Sequence, residues 1–143
     1  MTKVSVSKKS NTAQIAKNLS KHANLAVGFF ESAKYDSGTQ VAQVAFWQEY
    51  GTIKIPPRPF FRNAITKNAK KWVDTLETAL KSTDGNFKKA FGILGEVAVG
   101  DIKTSITNLG SPPNAPATIK SKKSSNPLID TGLMRNSISY EVS

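Results

Sequence analysis

Leu128-Ile129-Asp130-Thr131-Gly132-Leu133-Met134-Arg135-Asn136-Ser137-Ile138-Ser139-Tyr140-Glu141-Val142 is the stretch around which the rest of the chain can be read. It runs from an apolar approach into a sharp turn at Asp130-Thr131-Gly132. Asp130 is placed to cap a helical turn over Leu133–Asn136. Ile138, Tyr140 and Val142 then fall at period two, which reads as a strand with one buried face. A patterned strand at this point closes a sheet, so a partner strand must lie earlier. Residues 110–127 precede it as a long basic loop with no apolar period, and the strand anchors the loop's far end. A loop of that length inside a compact domain is uncommon unless it does something, such as lying across a neighbouring subunit.

The partner strand falls in residues 24–33. Leu25, Val27 and Phe29 share one face, while Ala26, Gly28 and Phe30 share the other. Both faces are apolar, which suggests an inner strand or one covered by a second layer. Ahead of it, Ser10, Asn11 and Thr12 offer an N-cap, and Ile15, Ala16 and Leu19 follow at helical spacing for about three turns. Residues 2–7 alternate Thr, Lys, Val, Ser, Val, Ser and read as an edge strand or an arm.

Two long helices fill the middle. Residues 59–81 carry Phe61, Ala64, Ile65, Asn68, Ala69, Trp72, Val73, Leu76, Ala79 and Leu80 on one face, with Lys67, Lys70, Lys71, Asp74, Glu77 and Lys81 outside. After a break at Asp84-Gly85-Asn86, residues 86–108 repeat the pattern from Phe87 to Ile106. Gly92, Gly95 and Gly100 inside that helix imply close backbone packing along it. With so short a break the two helices form an antiparallel hairpin against the sheet. The fold class is therefore α+β: two long antiparallel helices and shorter ones packed on a small antiparallel sheet. It is a single domain over 1–143, with a basic arm and helix (1–23), an α+β body (24–109), the loop (110–127) and a closing turn and strand (128–143).

Between strand and hairpin lies a short helix over 39–50, capped by Thr39 and ended by Gly51. Val41, Ala42, Val44, Ala45, Phe46 and Trp47 make it apolar most of the way round, so it must be buried or must cover itself against another subunit. Pro56, Pro57 and Pro59 exclude a helix over 53–58, and Pro59 suits a place at or near the first position of the next one.

Composition excludes several functions. The chain has 143 residues, no Cys and one His, which removes disulfides, thiolate metal sites and cysteine catalysis. No apolar run approaches the ~20 residues of a membrane span, and the lysines near Met1 are not followed by a signal-peptide core. The net charge of +10 is concentrated. Lys3, Lys8, Lys9, Lys17 and Lys21 share residues 1–23 with no acid, and Lys120, Lys122 and Lys123 share residues 110–129 with none. These two appendages suit an anionic surface, either DNA or an acidic protein partner, with Lys8, Lys9, Lys120, Lys122 and Lys123 as the candidate contacts; equally, they can be read as solvated runs that aid solubility.

Few residues carry chemistry. Asp130-Thr131-Gly132 matches the aspartic-protease triplet, but that chemistry needs two such carboxylates and a largely β fold. A capped turn is the favoured reading. His22 alone supports neither a metal site nor a serine triad. Arg58, Phe60, Phe61 and Arg62 can be read as a stacking surface for single-stranded nucleic acid or, more simply, as a proline-led helix start over a buried Phe pair. Neither a catalytic residue nor a cofactor or metal site is expected.

Three sequence blocks together carry a resemblance. Val44-Ala45-Phe46-Trp47-Gln48-Glu49-Tyr50-Gly51-Thr52 leads into Ile55-Pro56-Pro57-Arg58-Pro59-Phe60-Phe61-Arg62. Far downstream, Pro112-Pro113-Asn114-Ala115-Pro116-Ala117-Thr118-Ile119 precedes Pro127-Leu128-Ile129-Asp130-Thr131-Gly132. Over residues 40–142 this order resembles the neck or tail-completion proteins of tailed bacteriophages, a group that includes minor tail components and virion morphogenesis proteins. Gln48 departs from the Asn common before Glu-Tyr-Gly, with no evident consequence. The resemblance implies a non-enzymatic virion protein, assembled in the host cytoplasm. It would form a homo-oligomeric ring, six-fold to match the tail tube, at the head-tail junction or the head-proximal tail end. Its partners would be other neck, head-closure and tail-tube or terminator proteins, with non-specific contact to phage DNA. Tyr50, Gly51, Pro57, Arg58, Pro59, Phe60 and Phe61 would form a rigid corner, while Asp130, Thr131, Gly132 and Arg135 hold the loop base. The alternative is a small basic DNA-binding protein.

Overall fold

The computed structural model describes residues 12–19, 21–122 and 132–143. In order it contains α1 (Thr12–Leu19), β1 (Leu25–Phe29), α2 (Val41–Tyr50), α3 (Phe60–Ser82), α4 (Phe87–Asn108), α5 (Pro116–Lys122), α6 (Leu133–Asn136) and β2 (Ile138–Val142). The architecture is α+β, with α3 and α4 packed together and a two-stranded antiparallel sheet beside them.

The hairpin turns where the chain can take left-handed conformations. Asp84 has φ 50° and Gly85 φ 74°. Asn86 then caps α4, its side chain accepting from the Lys89 N–H at 3.1 Å. From the other side Asn18, buried on α1, donates to the Asp84 carbonyl at 3.0 Å. Further along, the Trp72 indole and the Lys71 ammonium both donate to Asp101, each at 2.7 Å. The Ser105 hydroxyl donates to the Phe60 carbonyl at 2.7 Å. Those ties fix α3 against α4 from the turn to the opposite end.

The sheet lies on α4. β1 and β2 pair from Leu25↔Val142 to Phe29↔Ile138. Asn24 and Ser143 exchange backbone bonds of 2.7 and 3.0 Å, which extend the ladder by one residue. Leu25, Val27, Phe29, Ile138, Tyr140 and Val142 point to one face, as the period-two pattern predicts. Their register is set by Gly95, where a Cβ would overlap the Tyr140 ring. The Tyr140 hydroxyl donates to Glu96, and this bond, followed by burial and the carboxylate's charge, holds the phenol above its ordinary range. The core joins α2, α3, α4, α6 and β2 through Val41, Ala45, Phe60, Ala64, Val99, Ile102, Ile106, Met134 and Ile138. Each large side chain fully buried there stabilises the fold by about 2 kcal/mol.

Several expectations are corrected. The strand expected over 24–33 is five residues long and is not an inner strand, because the described sheet has two strands. Its second face is apolar only through the small Ala26 and Gly28, and Ala26 is exposed. The described residues of the first helix are Thr12–Leu19, and the candidate caps Ser10 and Asn11 lie outside the described residues. Thr39 does not cap α2. Gln40 occupies the cap without a side-chain bond, because Lys34 and Gln40 form a β-bridge and the Thr39 carbonyl accepts from Tyr35 N–H at 2.9 Å.

The apolar stripe of α3 is only partly covered, with Ile65 42% and Val73 66% exposed. Close packing along α4 holds at Gly95 alone, since a Cβ at Gly92 or Gly100 would meet nothing within 4 Å. The loop of 110–127 contains a helix, α5, which opens on Pro116, a residue suited to a first helical position. The α6 turn is preceded by Gly132 at φ 81°. The expected strand over 2–7 and the Asp130 cap lie outside the described residues.

Candidate functional site

α2 ends and α3 begins in one corner. The Gly51 N–H donates to Trp47 O at 2.8 Å, and the backbone then turns through φ 77° and ψ 172°. That conformation belongs almost wholly to glycine. A Cβ at Gly51 would also stand 2.8 Å from Ile55 O and 2.9 Å from Pro57 N. Next comes a pinned turn. Thr52 N–H donates to Ile55 O at 2.8 Å, and the Thr52 hydroxyl accepts from Lys54 N at 3.2 Å and Ile55 N at 3.0 Å. Its tip, Ile53, is fully exposed.

Pro59 stands one residue ahead of α3, not at its first position. With φ −77° and ψ 62° it closes an inverse γ-turn in which Phe60 N donates to Arg58 O at 2.8 Å. Proline has no capping side chain, so α3 takes its cap from α2. The buried Glu49 carboxylate accepts from Phe61 N at 2.8 Å, from Arg62 N at 3.1 Å and from Arg62 Nε at 2.8 Å. A carboxylate at a helix N-terminus satisfies free N–H groups and meets the positive end of the helix dipole. Arg62 also donates to the Glu49 carbonyl at 3.0 Å, and its guanidinium lies 4.9 Å from the Tyr50 ring centroid.

Arg58 carries the corner across to distant chain. Its backbone N–H donates to Gln48 O at 2.6 Å. Its buried side chain reaches three neutral acceptors: Nε to Pro112 O at 2.8 Å, Nη2 to Pro113 O at 3.1 Å and Nη1 to Gln48 Oε1 at 2.8 Å. Burial lowers its pKa from the ordinary arginine value. A planar fork of donors suits this task as lysine's single ammonium does not. Residues 112–113 are thereby tied to residue 48, at the start of the segment that leads into α5.

The expected corner residues Tyr50, Gly51, Pro57, Arg58, Pro59, Phe60 and Phe61 are thus together. Gln48, Glu49 and Arg62 belong with them and were not among the expected corner residues. Gln48, read as a departure without consequence, is an acceptor for Arg58. The stacking reading of Arg58, Phe60, Phe61 and Arg62 is corrected, because Arg58 is 3% and Phe60 1% exposed. Arg135 sits elsewhere, its Nε donating to the Thr107 hydroxyl at 2.9 Å and tying α6 to α4. Gly132 opens α6, while Asp130 and Thr131 lie outside the described residues, as do Lys8, Lys9 and Lys123. Lys120 is exposed on α5, and Lys122 ends that helix.

The arrangement is suited to holding rather than to reacting. The Glu49 carboxylate and the Arg58 guanidinium both have all-internal partners. His22 lines a groove with Asn18, Lys21 and Lys88, with no carboxylate among the lining residues. Among the described residues no group of three or more His, Cys, Asp or Glu could hold a metal ion, and no helix is long and apolar enough to cross a membrane. No protein-family model, curated protein or solved structure matches the chain.

Proposed function

We propose that this chain is a structural subunit of a tailed-phage virion, forming a ring at the head-tail junction or the head-proximal end of the tail and enabling heads and tails to join. The observation that supports the reading is the Arg58 bridge. Two of the sequence segments on which the resemblance rests, 48–62 and 112–113, are far apart in the chain and meet at one buried guanidinium. Gln48, Glu49 and Arg58 bond within the chain, to build a stiff corner and hold the start of the segment that follows. A subunit that works through its contacts needs such rigidity, and a ring needs heterologous contacts that close. In this reading the segment from residue 111 onward reaches a neighbouring copy. The cationic residues meet DNA in the channel or acidic faces of adjoining head-closure and tail-tube or terminator proteins.

The test is the mass of the purified protein, alone and mixed with tail tubes that lack it. A chain of 15.5 kDa that becomes a ring on tubes and restores their joining to heads supports the proposal. A chain that ignores tubes but shifts DNA, with affinity falling steeply as salt rises, overturns it in favour of a small basic DNA-binding protein.

A further inference from the structure

α2 offers its neighbours an open apolar groove. Phe29, Ala42, Phe46, Tyr50, Phe61 and Ile65 line a depression of about 270 Å³ between α2, α3 and β1. Phe46 is 60% and Tyr50 56% exposed there. The polar members of its wall, Glu49 and Arg62, bond to each other, so covering the groove strands neither charge. Shortly after Tyr50 in the chain comes Ile53, which has no cover at all and is not part of the lining. The Thr52–Ile55 turn that presents it is already pinned by three hydrogen bonds, so little freedom remains to be lost on docking.

We infer that a second copy of this chain seats its Ile53 turn in this groove. The inference deepens the ring proposal and rests on it for the repetition of the contact from copy to copy. Area supports the choice of occupant. Ile53 together with the exposed parts of Phe46, Tyr50 and Ile65 presents about 500 Å² of side chain, by the usual areas of such residues. Interfaces are roughly 55% apolar, so this corresponds to about 900 Å² in all, near the lower limit for a specific contact. A contact of that size is weak for an isolated pair and adequate when repeated around a ring. Charge opposes the contact rather than supplying it. Copies carrying +10 repel one another, so their association through apolar groups strengthens as salt screens the charge, whereas assembly on DNA weakens.

The chain has no cysteine, which makes cross-linking clean. Ile53→Cys and Ile65→Cys variants are mixed under mild oxidation at increasing protein concentration and at low and high salt. A covalent dimer that forms in the mixture and in neither variant alone, more readily at high salt, supports the inference. The double variant then gives a ladder if the contact runs head to tail and stops at a dimer if it is two-fold. A mixture no more cross-linked than a Lys81→Cys control overturns the inference. Ile53→Asp, at a fully exposed position, retains the wild-type melting curve and raises the concentration needed for assembly about tenfold or more. If it assembles as the wild type does, the groove contact is wrong and the ring reading stands on another surface. If the Ile53→Cys and Ile65→Cys mixture cross-links through the groove yet the wild-type chain never acts on tail tubes, the contact stands and the neck reading fails.

Discussion

The two sides of α2 are built by opposite rules. The inward stripe is Val41, Ala45 and Glu49, all buried, and the outward one includes Phe46 and Tyr50, both more than half exposed. The charged residue is inside and the aromatics are outside. The inversion follows from what each side faces. Glu49 meets free N–H groups at the start of α3, which compensate its burial as water would. Phe46 and Tyr50 lie against each other, with the Arg62 guanidinium over Tyr50, and more than half of each residue stays open. A helix apolar nearly all round carries no periodic signal to orient it, so contacts with neighbouring elements decide which side turns in.

The largest test of this contrast is removal of the inward anchor. Arg58→Ala leaves Pro112, Pro113 and Gln48 oxygens without their donor and should lower stability by about 3–4 kcal/mol, read from the midpoint of urea unfolding. Arg58→Lys should recover less than half, because one ammonium cannot satisfy the same fork of acceptors. A smaller loss, about 2–3 kcal/mol, is expected for Gly51→Ala, where positive φ and contact with Ile55 O both oppose a methyl group. Calorimetry would show it, and an unchanged melting temperature would mean that the corner yields easily. Glu49→Gln keeps the shape but weakens the cap, and should lose about 1–2 kcal/mol, with faster amide exchange at Phe61 and Arg62. On the outer side, Phe46→Ser should change the monomer's stability by no more than about 0.5 kcal/mol. A large loss there would show that the outer face supports the fold, and the contrast would collapse.

Local signals were legible in the sequence. Asn86, the Asp84-Gly85 turn, Gly51 and the period-two residues of β2 each act within a few positions, and each did what its chemistry predicts. Non-local ones were not. That Glu49 would cap α3 depends on where the proline-rich turn directs the chain, and that Arg58 would grip Pro112 and Pro113 depends on tertiary placement across 54 residues. Pro116 was a readable helix start, hidden among loop-forming neighbours. Of the expected site, the corner residues could be grouped because they are adjacent in sequence, whereas the bond from Arg135 to Thr107, near the end of α4, depends on tertiary placement.

The pairing of β1 with β2 also orders events in time. Phe29 meets Ile138, and every residue of the hairpin lies between them. Closing so long a loop is entropically costly and is favoured only once its middle has condensed. The α3–α4 hairpin should therefore gain protection first and the sheet last, visible as late protection of the Val27 and Tyr140 amides in pulsed hydrogen exchange. Until that final step the apolar face of α4 around Gly95 stays uncovered, so the newly made chain is most prone to aggregate just before its two strands meet.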